Sequence, residues 1–187
     1  MNKLLSDLYE SKLSVFTVRD AMVIANCTDQ IAMSRTLTKL TEEGVLQRLR
    51  NGIYALPKYD NYEFGNKLQI PSYLSMETVL RSAGVIFQYD NMITYASYQT
   101  RTIFAENGVV FNYRKLSPQI LYNNAGKIYK PGYTIASLER AFLDLCYVDK
   151  WRTYENTAPI DKNEVIALLP IYNNKALEKR VASILEL

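Results

Sequence analysis

The amino-acid sequence predicts an α+β fold in which a small helical unit closed by a β-hairpin precedes a mixed α/β domain with antiparallel strands. Three observations predict it. Residues 1–57 carry helix, helix, turn, helix and hairpin signals in that order. Asn51-Gly52 joins two short strand-like runs, a strong two-residue hairpin signal. From residue 71 the pattern changes to short runs of Tyr, Phe, Ile and Val between capped helices.

Composition bounds the function. With 48% apolar and 22% charged residues over 187 positions, the chain has enough apolar surface for a packed core, which argues against global disorder. No apolar run approaches the roughly 18 residues of a membrane helix. The stretch Met1 to Tyr9 lacks the apolar region of a signal peptide. A cytoplasmic protein with no membrane partner is expected. Histidine is absent, which removes histidine-based catalysis and the usual catalytic zinc sets. Cys27 and Cys146 form no CxxC pair and read as reduced, buried small apolar residues. No metal and no cofactor is expected. A net charge of +3 does not identify a nucleic-acid binder, so any basic surface must come from arrangement.

Leu4, Leu5, Leu8 and Leu13 suggest a first helix, and Val15-Phe16-Thr17 a short extended entry. Thr17 can cap a second helix from Val18 to about Ala25. Asn26-Cys27-Thr28 reads as a tight turn. Asp29 then caps a third helix running to about Glu43, with Gly44 where a left-handed residue is wanted. Met33, Leu37 and Leu40 share one face of that helix at spacings of four and three. Strands Val45–Arg50 and Ile53–Leu56 follow. This order is the winged helix-turn-helix pattern, over about residues 12–57, and residues 1–57 are read as a DNA-binding domain.

The chemistry sits on the outer face of the third helix and on the hairpin. B-DNA's major groove admits one α-helix and presents donors and acceptors to polar side chains. Gln30, Ser34, Arg35, Thr38 and Lys39 lie off the apolar stripe. Arg35 is the expected reader of a guanine edge, because its fork bonds two acceptors at once. Gln30 suits an adenine or a phosphate, and Thr28 and Ser34 suit phosphates. A two-residue turn pairs Arg50 with Ile53, Leu49 with Tyr54 and Arg48 with Ala55. Alternation then puts Leu49 and Tyr54 on the packing face and Arg48 and Arg50 on the other, where they suit phosphate or minor-groove contact. The same features also describe an ordinary solvated helix face, and charges that guard an edge strand.

Residues 58–70 read as a polar linker and 71–187 as a second domain. There Ser75 is the expected cap of a helix from Met76 to Ala83. Strands are expected at 85–89, 93–98, 102–105, 109–113, 127–129 and 133–135, with turns at Asn107-Gly108 and Lys130-Pro131-Gly132. Ser137 caps a helix bearing Leu138, Ala141, Phe142 and Leu145. Asp161 starts a short helix, and Leu177, Val181 and Ile184 mark the last one. Arg140 and Asp144 read as a solvated i,i+4 pair. Glu106, Lys115 and Asp144 are scattered, so no metal-dependent nuclease motif joins them. The 15 tyrosines are first packing residues, although Tyr89, Tyr95, Tyr98 and Tyr113 are also candidates for a stacking or protein-binding surface.

Three segments in order, Thr36–Leu56, Ile70–Leu80 (Ile-Pro-Ser-Tyr-Leu-Ser-Met-Glu-Thr-Val-Leu) and Tyr133–Leu145 (Tyr-Thr-Ile-Ala-Ser-Leu-Glu-Arg-Ala-Phe-Leu-Asp-Leu), resemble AbiEi-type antitoxins. These are the transcriptional-regulator halves of type IV toxin–antitoxin systems of abortive infection. The resemblance implies a non-enzymatic repressor that binds inverted repeats of double-stranded DNA in its own promoter through Thr28, Gln30, Ser34, Arg35, Thr38, Lys39, Arg48 and Arg50. It also implies an AbiEi-like antitoxin domain over 71–187 that opposes a nucleotidyltransferase-type toxin. Two other readings stay open from the residues: a module that binds a toxin or other partner directly, and a nuclease-like defence enzyme.

Overall fold

The computed structural model describes residues 3–88 and 90–187. They form two compact units. Unit 1 runs to Leu68 and includes Pro131–Tyr133; unit 2 holds Gln69–Lys130 and Thr134–Leu187. The expected α+β class holds: helices and sheets alternate in both.

Unit 1 contains α1 (Lys3–Glu10), β1 (Val15–Thr17), α2 (Val18–Ile24), α3 (Gln30–Glu42), β2 (Gln47–Arg50), β3 (Ile53–Ala55) and α4 (Asn61–Leu68). The strands make an antiparallel sheet in the order β1-β3-β2. Helices α2 and α3 begin where a side chain satisfies orphan N–H groups. Thr17 Oγ1 accepts from Asp20 N while Asp20 accepts from Thr17 N, a reciprocal capping box. Asp29 Oδ1 accepts from Ile31 N and Ala32 N at the start of α3. One core collects Leu4, Leu8, Phe16, Ala21, Met33, Leu37, Leu40 and Tyr54. Full burial of a leucine such as Leu37 is worth about 1.5–3 kcal/mol.

Two features of unit 1 differ from expectation. The 58–70 segment is not a plain linker, because it holds α4. Its polar residues make internal bonds: Ser14 N and Oγ donate to Glu63 Oε2 at 2.8 and 2.6 Å. Lys67 Nζ, one helical turn on, donates to Asp20 Oδ2 at 2.8 Å. Phe64 is buried, with its ring edge-on to Tyr59. The hairpin register also differs. Asn51 does not take positive φ, whereas Gly52 does, at +75°. The register shifts at Leu49, so Arg48 opposes Tyr54 and Gln47 opposes Ala55.

Asp20 gives a pH prediction. Burial pushes its carboxyl up, but the Lys67 ammonium and the Thr17 donors outweigh this and hold it below 3.8. A depressed folded value stabilises the native state above the unfolded value, and that stability is lost as pH falls through the folded value. Lys67→Met is therefore expected to lower the urea midpoint at pH 6, and to do so progressively less as pH falls through the depressed Asp20 value. A loss that does not change as pH falls would show that the ion pair does not carry the effect.

Unit 2 contains β4 (Ser72–Leu74), α5 (Glu77–Ser82), β5 (Met92–Ser97), β6 (Arg101–Phe104), β7 (Val110–Lys115) and α6 (Pro118–Tyr122). Then come β8 (Lys127–Lys130), β9 (Tyr133–Ala136), α7 (Leu138–Val148), α8 (Lys162–Leu168), a 3-10 helix (Leu169–Tyr172) and α9 (Lys175–Leu185). The six strands order as β6-β7-β5-β4-β9-β8. The sheet is mixed, not purely antiparallel, since β5 runs parallel to β7 and β4 to β9. Burial explains the order of β6 and β7. Phe111 and Tyr113 of β7 are fully buried, while Arg101, Thr102 and Phe104 of β6 are exposed. The more apolar strand takes the inner place and the more exposed one the edge.

The strand expected at 85–89 is absent over 85–88, and Tyr89 lies outside the described residues. Ser75 does not cap α5; Met76 holds that position without a side-chain bond, and the Ser75 hydroxyl is used elsewhere. The caps by Ser137 on α7 and Asp161 on α8 are present as expected. In the last helix Leu185, rather than Ile184, completes the buried stripe with Leu177 and Val181.

The Lys130-Pro131-Gly132 turn depends on glycine. Gly132 has φ +80°, and an added Cβ would lie 2.4 Å from the buried Glu63 carboxylate carbon. Gly132→Ala is expected to destabilise the protein by more than the ~1 kcal/mol of ordinary glycine effects, read as a lower thermal midpoint. An unchanged midpoint would contradict the contact.

Candidate nucleic-acid interface

Spacing and exposure together define the outer face of α3. Met33, Leu37 and Leu40 point into the core. At 100° per residue, Ile31, Arg35, Thr38 and Glu42 run along the opposite stripe. Gln30 and Ser34 lie on one flank, and Ala32 and Lys39 on the other. Gln30, Ile31, Ala32, Arg35 and Lys39 are exposed, whereas Ser34 and Thr38 are half-buried. Thr38 Oγ1 donates to Ser34 O at 2.9 Å, so its hydroxyl oxygen still offers acceptor capacity. Lys39 Nζ stands 3.8 Å from Glu43 Oε1 in an exposed pair, which is energetically small. Thr28 is exposed in the turn before α3.

The hairpin carries the other predicted residues. Arg48 and Arg50 are both exposed on β2, and Leu49 between them is half-buried. Arg48 Nη2 donates to Asn51 Oδ1 at 2.7 Å across the turn. Strand β2 packs beside α3 within unit 1, so the two sets of exposed cations belong to neighbouring elements. Sequence reasoning missed Ile31, which is 65% exposed. Its position four residues before Arg35, off the Met33–Leu37–Leu40 stripe, was the available signal. An exposed apolar side chain beside Arg35 suits contact with a thymine methyl group. Asp29 and Glu42 bring negative charge to the ends of the same helix.

In unit 2 the pair read as solvated is the most buried ionic group described. Arg140 and Asp144 are both fully buried. Arg140 Nε donates to Asp144 Oδ1 at 3.3 Å, Nη1 to Ala125 O at 2.8 Å, and Nη2 to Ile120 O at 2.6 Å and Tyr73 Oη at 3.1 Å. Asp144 accepts from Tyr73 Oη and Ser75 Oγ at 2.8 Å and from Tyr172 Oη at 2.6 Å. Burial, then the Asp144 charge, push both phenols well above their ordinary range, so they stay protonated donors. This is a satisfied structural network in which every donor faces an acceptor.

Of the tyrosine candidates for a stacking or protein-binding surface, Tyr95 and Tyr113 are fully buried with rings stacked 5.3 Å apart, Tyr98 is exposed, and Tyr89 lies outside the described residues. Cys146 is buried, with its thiol pushed up to about 11 by burial, but Cys27 is only half-buried. Among the described residues no group of three or more His, Cys, Asp or Glu is placed to hold a metal ion. Among them also, no helix is long and apolar enough to cross a membrane.

Fold and site together define an α+β chain that carries an exposed helix face and an arginine-bearing hairpin on one unit and a buried ionic network on the other. The fold is similar to the crystal structure of the RV2827C protein from Mycobacterium tuberculosis, with a TM-score of 0.53 at 14% identity over 98% of this chain and 75% of that one. At this identity the likeness concerns the fold alone. No family model and no curated protein matches the chain.

Proposed function

We propose that the protein is a sequence-specific DNA-binding transcriptional repressor whose unit 1 is a winged helix-turn-helix. In this reading α3 enters the major groove of double-stranded DNA and the β2–β3 hairpin is the wing. One observation carries it: exposed Ile31 and Arg35 on the outer stripe of α3 lie in the same unit as exposed Arg48 and Arg50, on a strand packed beside that helix. Arg35 reads a base edge, and Arg48, Arg50, Lys39, Thr28, Gln30 and Ser34 bind backbone or flanking positions. Autorepression through inverted repeats in its own promoter, and antitoxicity towards a nucleotidyltransferase-type toxin, rest on the resemblance to AbiEi-type antitoxins. This reading uses no catalytic residue, metal or cofactor and places the protein in the cytoplasm.

Two experiments separate its halves. Electrophoretic shift of the chain's own upstream DNA tests the repressor, with a scrambled duplex as control. Co-expression with the neighbouring gene tests the antitoxin: rescue of growth supports it, and no rescue of a toxic neighbour removes it while leaving DNA binding untouched. The direct toxin-binding reading gains no support from Tyr95 and Tyr113, two of its four candidate tyrosines, which are buried.

A further inference from the structure

A cleft of about 120 Å³ opens on unit 2. Ser72, Tyr73, Asn124 and Lys127 line it, with Tyr122 and Tyr129. No acidic residue does. Lys127 Nζ donates to Leu121 O at 2.5 Å and stands 4.5 Å over the Tyr73 ring. Neither contact supplies a negative charge, and Lys127 appears in no ion pair among the described residues.

The charges behind the cleft do not compensate it. Arg140 Cζ stands 5.6 Å from the centroid of the same Tyr73 ring, and Asp144 is already committed to Arg140 and three hydroxyl donors. Two cations therefore face one carboxylate. The lysine responds: burial first, then Arg140, lower it to about 8, and Asp144 offsets this only in part. A half-buried ammonium without a counter-ion is a place where an incoming anion gains most. Tyr122 and Tyr129 are 64% and 67% exposed, so each offers apolar ring surface beside that charge.

We propose that the Lys127 cleft binds the oxyanion group, phosphoryl or carboxylate, of a small metabolite whose flat body lies on Tyr122 and Tyr129. The oxyanion pairs with Lys127 Nζ, and the Asn124 amide in the same lining offers a further donor. The site is independent of the DNA-binding reading.

The test is a pH titration of the full chain labelled at lysine Cε, followed by NMR. The Lys127 signal is assigned by its loss in Lys127→Gln, or in Lys127→Arg if the glutamine variant does not fold. Probes are phosphate, acetate, phenyl phosphate and benzoate, each against chloride at matched ionic strength. The Lys127 midpoint is expected to rise by about one unit with the saturating oxyanions and not with chloride. One unit corresponds to tenfold tighter binding of the charged form. The two ring-bearing probes are expected to saturate at several-fold lower concentration than phosphate and acetate. A midpoint that moves no more with any oxyanion than with chloride overturns the site. Equal affinity for ring-bearing and plain anions overturns the role given to the tyrosines.

Discussion

Asp144→Ala is expected to destabilise the protein by about 3–5 kcal/mol, the range for removing one partner of a buried ion pair. Arg140 has no exposed surface, so the variant leaves its charge unpaired in the interior. Three hydroxyl donors, from Tyr73, Ser75 and Tyr172, lose their common acceptor at the same time. For a chain of this size the thermal midpoint should fall by roughly 6–20 °C. Tyr172→Phe, which removes one donor and keeps the ring, should cost about 1–2 kcal/mol. A loss below about 1 kcal/mol for Asp144→Ala would mean that the pair is solvated, as the bare i,i+4 spacing suggested. DNA binding is measured on the same variants, because the network lies in unit 2 and the interface in unit 1.

The second large effect concerns that interface. The triple variant Arg35→Ala, Arg48→Ala, Arg50→Ala is expected to weaken binding to the upstream DNA by a hundredfold or more, at roughly 1–3 kcal/mol for the base-reading arginine alone. The single variants should behave differently. Arg35→Ala reduces the preference for the cognate duplex over the scrambled one. Arg48→Ala and Arg50→Ala weaken both duplexes together, and each lowers the slope of log affinity against log salt by about 0.9. Unfolding midpoints should stay near wild type, because all three side chains are exposed. A triple variant that binds as tightly as wild type would remove α3 and the hairpin from the interface.

Local features were legible in the sequence. Thr17 and Asp29 start α2 and α3, and Met33, Leu37 and Leu40 turn one side of α3 inward. Ser137 and Asp161 start α7 and α8 in the same way. Each signal is complete within one or two helical turns, where spacing alone decides the geometry. What escaped the reading depends on partners far along the chain. Glu63 and Lys67 look like linker residues until Ser14 and Asp20 are brought to them across 49 and 47 positions. Arg140 and Asp144 look like a surface pair until Tyr73, Ser75 and Tyr172 close around them.

Ser75 illustrates the competition. Its position before a helix suits a cap, but an acceptor contributed by α7 takes its hydroxyl. The inner place of β7 was equally non-local, since it follows from which aromatic strand finds cover. In the candidate interface the residue types and the exposed arginines were readable from spacing. The shift at Leu49 was not: plain alternation pairs Arg48 with Ala55, whereas the structure pairs it with Tyr54.

The most direct test of the central claim is a fluorescence-anisotropy titration of the wild-type chain on its own upstream duplex and on a scrambled duplex, repeated between 50 and 200 mM salt. The DNA-binding reading predicts tight binding to the upstream duplex at low salt, a clear preference over the scrambled one, and an affinity that falls steeply as counterions are added. No binding at 50 mM salt, or weak binding indifferent to salt, would contradict it.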